Sequence, residues 1–225
     1  MDKRKVVLAV GLGVAALLTV QTITASNMGF KLNYELVAAG TKGSLTGRQL
    51  VALPDNRQSG MNNAKAWIDD IGLAATQRLE RYKITTDTYE FYSGRTLASG
   101  QVNFALTPGE GYRVRMNTTT NYIVVGSDNP ATPYSLFKTG DSGSLSGRNM
   151  FAYNYHQTAI NAKALIDEIG LANVQRIERY KTTTDTYDFY SGRTLASGQV
   201  NFTLTPGEAY RIRMNTTVAF TPSHY

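Results

Sequence analysis

The sequence predicts a mainly β protein, β-sandwich-like or made of small β modules, with one short α-helix in each of two tandem modules and a helical signal segment ahead of them. Three observations carry this. The chain matches itself: "GSLTGRQL" (Gly43–Leu50) returns as "GSLSGRNM" (Gly143–Met150) at an offset of 100. The offset then becomes 98 and holds from Ala64/Ala162 to Thr118/Thr216, with ten differences over 55 aligned positions. Self-similarity at a fixed period marks one structural unit made twice. Second, stretches such as "FKLNYEL" and "YRVRM" alternate apolar and polar residues, the period of a half-buried strand. Third, the first residues are unlike the rest: Lys3, Arg4 and Lys5, an apolar run from Val6 to Val20, then small residues up to Ala25 and Ser26. That is the pattern of a secretory signal peptide. The expected division is therefore signal peptide 1–25, first β-rich module 26–126 and second β-rich module 127–225.

The elements follow in order. In "FKLNYEL", Phe30, Leu32, Tyr34 and Leu36 share one side and Lys31, Asn33 and Glu35 the other. This amphipathic strand is expected to pair within the first module, as "YSLF" (Tyr134–Phe137) does in the second, or to act as an exchangeable assembly strand on an open edge of a neighbouring subunit. "NNAKAWIDDIG" predicts a helix with Asn62 or Asn63 as N-cap, Trp67, Ile68 and Ile71 on one face, and Gly72 as its stop. Its counterpart is expected from about Ala159 to Ile169, ending at Gly170. "QRLERYK", a Thr-Thr-Asp-Thr turn and "YEFY" predict a hairpin. "QVNFALTPGEGYRVRM" predicts two more strands joined at Pro108-Gly109. Val102, Phe104 and Leu106 alternate inward on the first; Tyr112, Val114 and Met116 face the core on the second, with Arg113 and Arg115 facing out. "TTNYIVVGSDNPATPY" closes the first module with a strand and a linker, and "VAFTPSHY" ends the second.

The stretches "GRQLVALPDN" (Gly47–Asn56), "LTPGEGYRVRM" (Leu106–Met116) and "LTPGEAYRIRM" (Leu204–Met214) together form a pattern. It resembles the small β-rich "GWNLISLP"-type module found in tandem in secreted and cell-surface proteins of bacteria. The resemblance covers most of both modules. It implies extracellular or surface architecture and carries no general catalytic site. The chain departs from the pattern in lacking Trp at the "GWN" position and in replacing Leu-Pro by Tyr153-Asn154 in the second copy.

Chemistry-bearing residues are sparse. The absence of Cys excludes disulfides, covalently attached haem and thiolate metal sites. The net charge is +6, and the signal segment holds three basic residues and one acid, which leaves +4 for the rest. So mild and scattered an excess gives no case for nucleic acid. His156 and His224 stand alone, without a His-Glu-x-x-His pattern, and no Gly-x-Ser-x-Gly elbow occurs. Asp69-Asp70 and Asp167-Glu168 are neighbours on a helix and do not face each other. Glu110 and Glu208 read as turn residues, and Asp87 or Asp185 among threonines offers too few charged ligands for calcium. The expectation is no enzyme, no cofactor and no metal. One repeated set stands out as a candidate ligand surface: Arg113, Arg115 and Tyr92 with their copies Arg211, Arg213 and Tyr190. Aromatics with arginines can bind glycans or single-stranded nucleic acid, or the arginines sit on the wet face of a strand paired with nearby Glu. The expected function is a secreted structural protein of the cell surface, self-assembling into a filament or layer by strand addition or module stacking. The alternative is a non-catalytic adhesin or glycan-binding module. The partners expected are further copies of the chain, a glycan or another surface protein, with no nucleic acid and no membrane span in the mature chain.

Overall fold

A computed structural model describes residues 29–57, 60–95, 99–129, 131, 133–193 and 197–224. The predicted signal peptide, 1–25, lies outside them. The chain is mainly β, in several antiparallel sheets with two helices. The first half contains β1 (Phe30–Leu36), β2 (Arg48–Ala52), β3 (Asn56–Arg57), α1 (Ala64–Ile71), β4 (Thr76–Lys83), β5 (Thr88–Tyr92), β6 (Gly111–Met116) and β7 (Thr120–Ser127). The second contains β8 (Tyr134–Leu136), β9 (Arg148–Ala152), α2 (Ala162–Ile169), β10 (Val174–Lys181), β11 (Thr186–Tyr190), β12 (Ala209–Met214) and β13 (Val218–Phe220). Each half makes a four-stranded antiparallel sheet of one connectivity, β2-β6-β4-β5 and β9-β12-β10-β11. Beside each lies a smaller sheet, β1-β7-β3 and β13-β8.

Each helix exists because its exposed backbone groups find partners. Asn63 is the N-cap and its side chain accepts from the Ala66 N–H at 2.9 Å; Asn161 does the same for Ala164. The Ala64 N–H donates to the Phe104 carbonyl at 2.9 Å and the Lys65 N–H to Asn103 Oδ1 at 2.8 Å. This explains a difference from the sequence reading. "QVNFAL" is not a strand in either copy, because its polar groups serve the helix N-terminus and the edge of β5, where the Val102 N–H donates to Phe91 O. Val102 accordingly points to solvent, while Phe104 and Leu106 are buried. Likewise α2 starts at Ala162 rather than Ala159, since Asn161 is where the cap can form.

One face of each large sheet buries its helix. In the first half Trp67 stands edge-on to Tyr112 at 5.6 Å, and Tyr112 stacks on Phe104. In the second half Leu165 replaces Trp67 and Tyr153 replaces Leu53, and Tyr153 stands edge-on to Tyr210 at 6.3 Å. The large residue has moved from the helix to the segment just after β9, and most of the core volume is kept. The departure from Leu-Pro at Tyr153-Asn154 is therefore a core repack, and β9 forms with it.

The opposite faces of the two large sheets pack on each other. Leu50, Ala52 and Tyr82 from one half join Met150, Ala152, Tyr180 and Ala209 from the other in a shared core. The contacts are reciprocal, as across an approximate two-fold axis. Ala52 N donates to Gly207 O and Ala152 N to Gly109 O; Leu45 N donates to Thr182 O and Leu145 N to Ile84 O. Tyr34 lies over Gly207 and Tyr134 over Gly109, turn glycines at φ +88° and +78° with no room for a Cβ.

Candidate functional site

The structure divides the repeated arginine–tyrosine set. Register places Tyr92 beside Leu79, on the helix side of its sheet, where it packs against the first core; Tyr190 does the same beside Ile177. Arg113 and Arg211 lie on the other side, which is the face between the modules. Their side chains are 15% exposed, so the expectation of a wet strand face is corrected for these two. The reason is that a second module covers the face, which strand alternation cannot reveal. The aromatic that meets Arg113 is Tyr89 rather than Tyr92, with its ring centroid 3.7 Å away; Arg211 lies over Tyr187 at 3.8 Å.

Charge between the modules is organised around two buried carboxylates. Glu80 takes the Arg113 Nε–H on one oxygen and lies 2.5 Å from Arg78 Nε with the other. Glu178 repeats this with Arg211 and Arg176. Burial pulls the Arg113 guanidinium towards neutrality, but the Glu80 carboxylate outweighs it and holds the proton more firmly than usual; Arg211 and Glu178 behave alike. The hairpin turns reach across as well. Asp87 pairs with Arg148 at 2.9 Å and accepts from Tyr82 and Ser146, while Asp185 pairs with Arg48 at 3.2 Å and accepts from Tyr180. Burial alone would raise the Asp87 carboxyl, but these donors and Arg148 together set it below the usual range. These aspartates are cross-module anchors. Glu110 and Glu208 are also more than turn residues: each is half-buried and accepts from the tyrosine two residues on, and desolvation raises its affinity for a proton.

A second polar cluster was not visible in the sequence, because its members come from four distant segments and have no equivalents in the other copy. Asp55 follows β2, Asp128 follows β7, Asn154 follows β9, and His224 is near the end of the chain. Asp55 and Asp128 are 7% and 8% exposed and share a hydrogen bond. Asp55 also accepts from the Asn129 N–H at 3.1 Å and from Asn154 Nδ2 at 3.2 Å. His224 Nε2 lies 2.7 Å from Asp128, and the Tyr134 hydroxyl is 3.2 Å from Asn154 Nδ2. Burial first, and then the hydrogen bond to Asp128, push the Asp55 carboxyl up to about 7. Asp55 therefore keeps its proton to a higher pH than a solvated carboxyl does. The contacts of the cluster make it a buried tie between the linker, the first module and the C-terminal segment. The only sequence signal for it was that the residues at 55–57 and 155–157 break the repeat.

The predicted assembly strand is β1. It pairs along its whole length with β7 of the same chain, from Phe30↔Gly126 to Leu36↔Thr120. Leu32 and Leu36 are buried, Tyr34 donates to Ala52 O, and Phe30 meets Tyr155 at 5.0 Å. Among the described residues no group of three or more His, Asp or Glu is placed to hold a metal ion, and no helix is long and apolar enough to cross a membrane. No protein-family model, curated protein or solved structure matches the chain.

Proposed function

We propose that the chain is a non-catalytic structural subunit of a secreted or cell-surface assembly, in which copies are joined by exchange of β1, and that it is built of two "GWNLISLP"-type modules behind a cleaved signal peptide. The observation that carries this reading is the situation of β1. It is the first strand after the predicted cleavage site, lies at the edge of its sheet, and has backbone pairing to β7 alone. It is anchored by side chains, Leu32, Leu36 and Tyr34, that a second copy's β1 supplies equally well in the same register. Exchange of an identical element is a low-cost route to assembly, since it needs no new interface. The module–module interface supports the structural half of the reading: it joins the two halves through a shared apolar core, the half-buried Asp87–Arg148 and Asp185–Arg48 pairs, and reciprocal backbone bonds.

The absence of cysteine gives a clean test. Asn33 and Ile123 are cross-strand partners with exposed side chains. Mixing Asn33→Cys with Ile123→Cys protein under assembly conditions is expected to yield disulfide-linked dimers between different chains, and electron microscopy is expected to show fibres or sheets. Formation of the disulfide only within the Asn33→Cys/Ile123→Cys double variant, with dispersed particles by microscopy, overturns strand exchange.

A further inference from the structure

Three arginines stand side by side on the inter-module face of each large sheet. Arg115 on β6 is directly opposite Arg48 on β2 and Arg78 on β4; Arg213 on β12 is directly opposite Arg148 on β9 and Arg176 on β10. Residues directly opposite in antiparallel strands share a face with Cβ atoms about 5 Å apart, where like charges are unfavourable. The carboxylates present do not neutralise the row. Among the described residues, the carboxylates paired with Arg48, Arg78, Arg113 and Arg115 in the first copy are Asp185 and Glu80, and those paired with Arg148, Arg176, Arg211 and Arg213 in the second are Asp87 and Glu178. Counted with the adjacent Arg113 or Arg211, each row of arginines therefore keeps an excess of two positive charges, four cations against two carboxylates. The middle arginine has no carboxylate partner among the described residues: Arg115 Nε donates to Thr46 O and Arg213 Nε to Ser146 O, both at 3.1 Å. Arg48 Nε and Arg148 Nε are buried donors with no acceptor. Burial and then the neighbouring Arg48 and Arg78 loosen the Arg115 proton, the mark of a cation short of counter-charge. The rows are nonetheless reachable, with outer arginine side chains 25% to 33% exposed.

We propose that each arginine row is a binding site for a divalent oxyanion, sulfate or phosphate, either free or carried as an ester on a larger molecule. Planar guanidinium forks match the oxygen spacing of such groups and bind them bidentately. An anion on the row relieves the repulsion along it. The second site is the stronger one. Beside Arg213 opens a cavity of about 230 Å³ lined also by Lys138, Thr139, Gln175, Met214 and Asn215. Lys138 and Thr139 occupy the places of Ala38 and Ala39 in the first copy, so this row gains a fifth cation. The inference stands apart from assembly through β1, which involves none of these residues.

The test is calorimetric titration of the purified chain with sodium sulfate and with inorganic phosphate, at fixed ionic strength held with chloride. Two saturable sites are expected, with the affinity of one falling at least tenfold in Arg115→Gln and of the other in Arg213→Gln. Glutamine keeps a donor for the carbonyl of Thr46 or Ser146 while removing the charge. Should these variants fail to fold, Lys138→Ala, at an exposed position, is expected to weaken one site several-fold and leave the other unchanged. Competition with dextran sulfate separates the sources: displacement of bound inorganic sulfate points to an ester ligand, and its failure to a free ion. Equal response to sulfate and chloride, or binding unchanged in Arg213→Gln and in Lys138→Ala, overturns the proposal.

Discussion

The Asp55–Asp128 pair makes stability fall as pH rises through the weakly acidic range, and Asp55→Asn isolates the effect. In an unfolded chain Asp55 releases its proton at the ordinary aspartate value of about 3.9. In the folded protein burial and the bond to Asp128 hold it up to about 7. Below pH 4 both states are protonated and nothing is lost. Between pH 4 and 7 the folded state binds more protons than the unfolded one, so stability falls with pH at about 1.4 kcal/mol per unit. Above 7 both states are ionised and the loss is complete, on the order of 4 kcal/mol. An asparagine carries no such penalty. Its amide donates to Asp128 as the protonated acid does, and its oxygen still accepts from the Asn129 N–H. The Asn154 Oδ1, now buried without a partner, turns to accept the remaining amide hydrogen. Urea unfolding of both proteins, followed by circular dichroism from pH 3.5 to 8, gives the difference in stability at each pH. Titrating groups remote from Asp55 contribute to both proteins and largely drop out of that difference. The variant is expected to gain steadily on the parent between pH 4 and 7 and to be flat beyond. A difference that does not change with pH would mean that Asp55 titrates like a solvated carboxylate, and would refute the reasoning from its burial.

The remaining predictions concern packing and charge. Trp67→Leu alone is expected to cost about 2–3 kcal/mol through the cavity it leaves. Adding Leu53→Tyr recreates the arrangement at Leu165 and Tyr153 and is expected to recover most of that loss, with a coupling in the double-mutant cycle that independent sites would not show. Glu80→Leu strands Arg113 and Arg78 between the modules and is expected to cost about 3–5 kcal/mol, whereas Glu80→Leu combined with Arg113→Met costs less; guanidinium melts of the parent and the two variants decide this, and a double variant less stable than Glu80→Leu refutes it.

Much of the local structure was legible from residue type alone. A polar cap before an apolar face, a glycine after it, and a Thr-Asp turn between aromatic runs specify a helix and a hairpin through interactions within a few residues, and those elements formed at Asn63, Gly72 and Asp87. Alternation also told correctly which side of β6 carries Tyr112 and Val114. It could not tell what lies on the other side. Arg113 has the pattern of a solvated strand residue because its partners are polar, Glu80 and Tyr89, and a polar interface between modules has the same period as water. "QVNFAL" misled for a related reason. Its alternation is real in Phe104 and Leu106, but its backbone is claimed by the N–H groups of α1, a demand set by the tertiary position of the helix. The Asp55–His224 cluster depends wholly on chain ends and linkers meeting in space, and nothing local encodes it.

The reciprocal interface also explains why so many polar residues are spelled the same way twice. Across an approximate two-fold, one surface is complementary to itself: a residue in the first copy touches a given position in the second, and the reverse holds too. The hairpin turn of each module must therefore fit the same pocket, and Asp87 meets Arg148 and Ser146 as Asp185 meets Arg48. A change in one copy alone breaks one of two matched contacts, so the polar letters of "TTDTY" are constrained by shape and charge as firmly as a core. The rule inverts where a residue meets its own counterpart. Gly111 and Ala209 occupy equivalent positions and face each other, and a Cβ on Gly111 would lie 2.5 Å from that of Ala209. There the two copies cannot be alike with a side chain in both. The replacement of "PGEGY" by "PGEAY" is thus the repeat giving way at the one place where strict identity to alanine would wedge the two sheets apart.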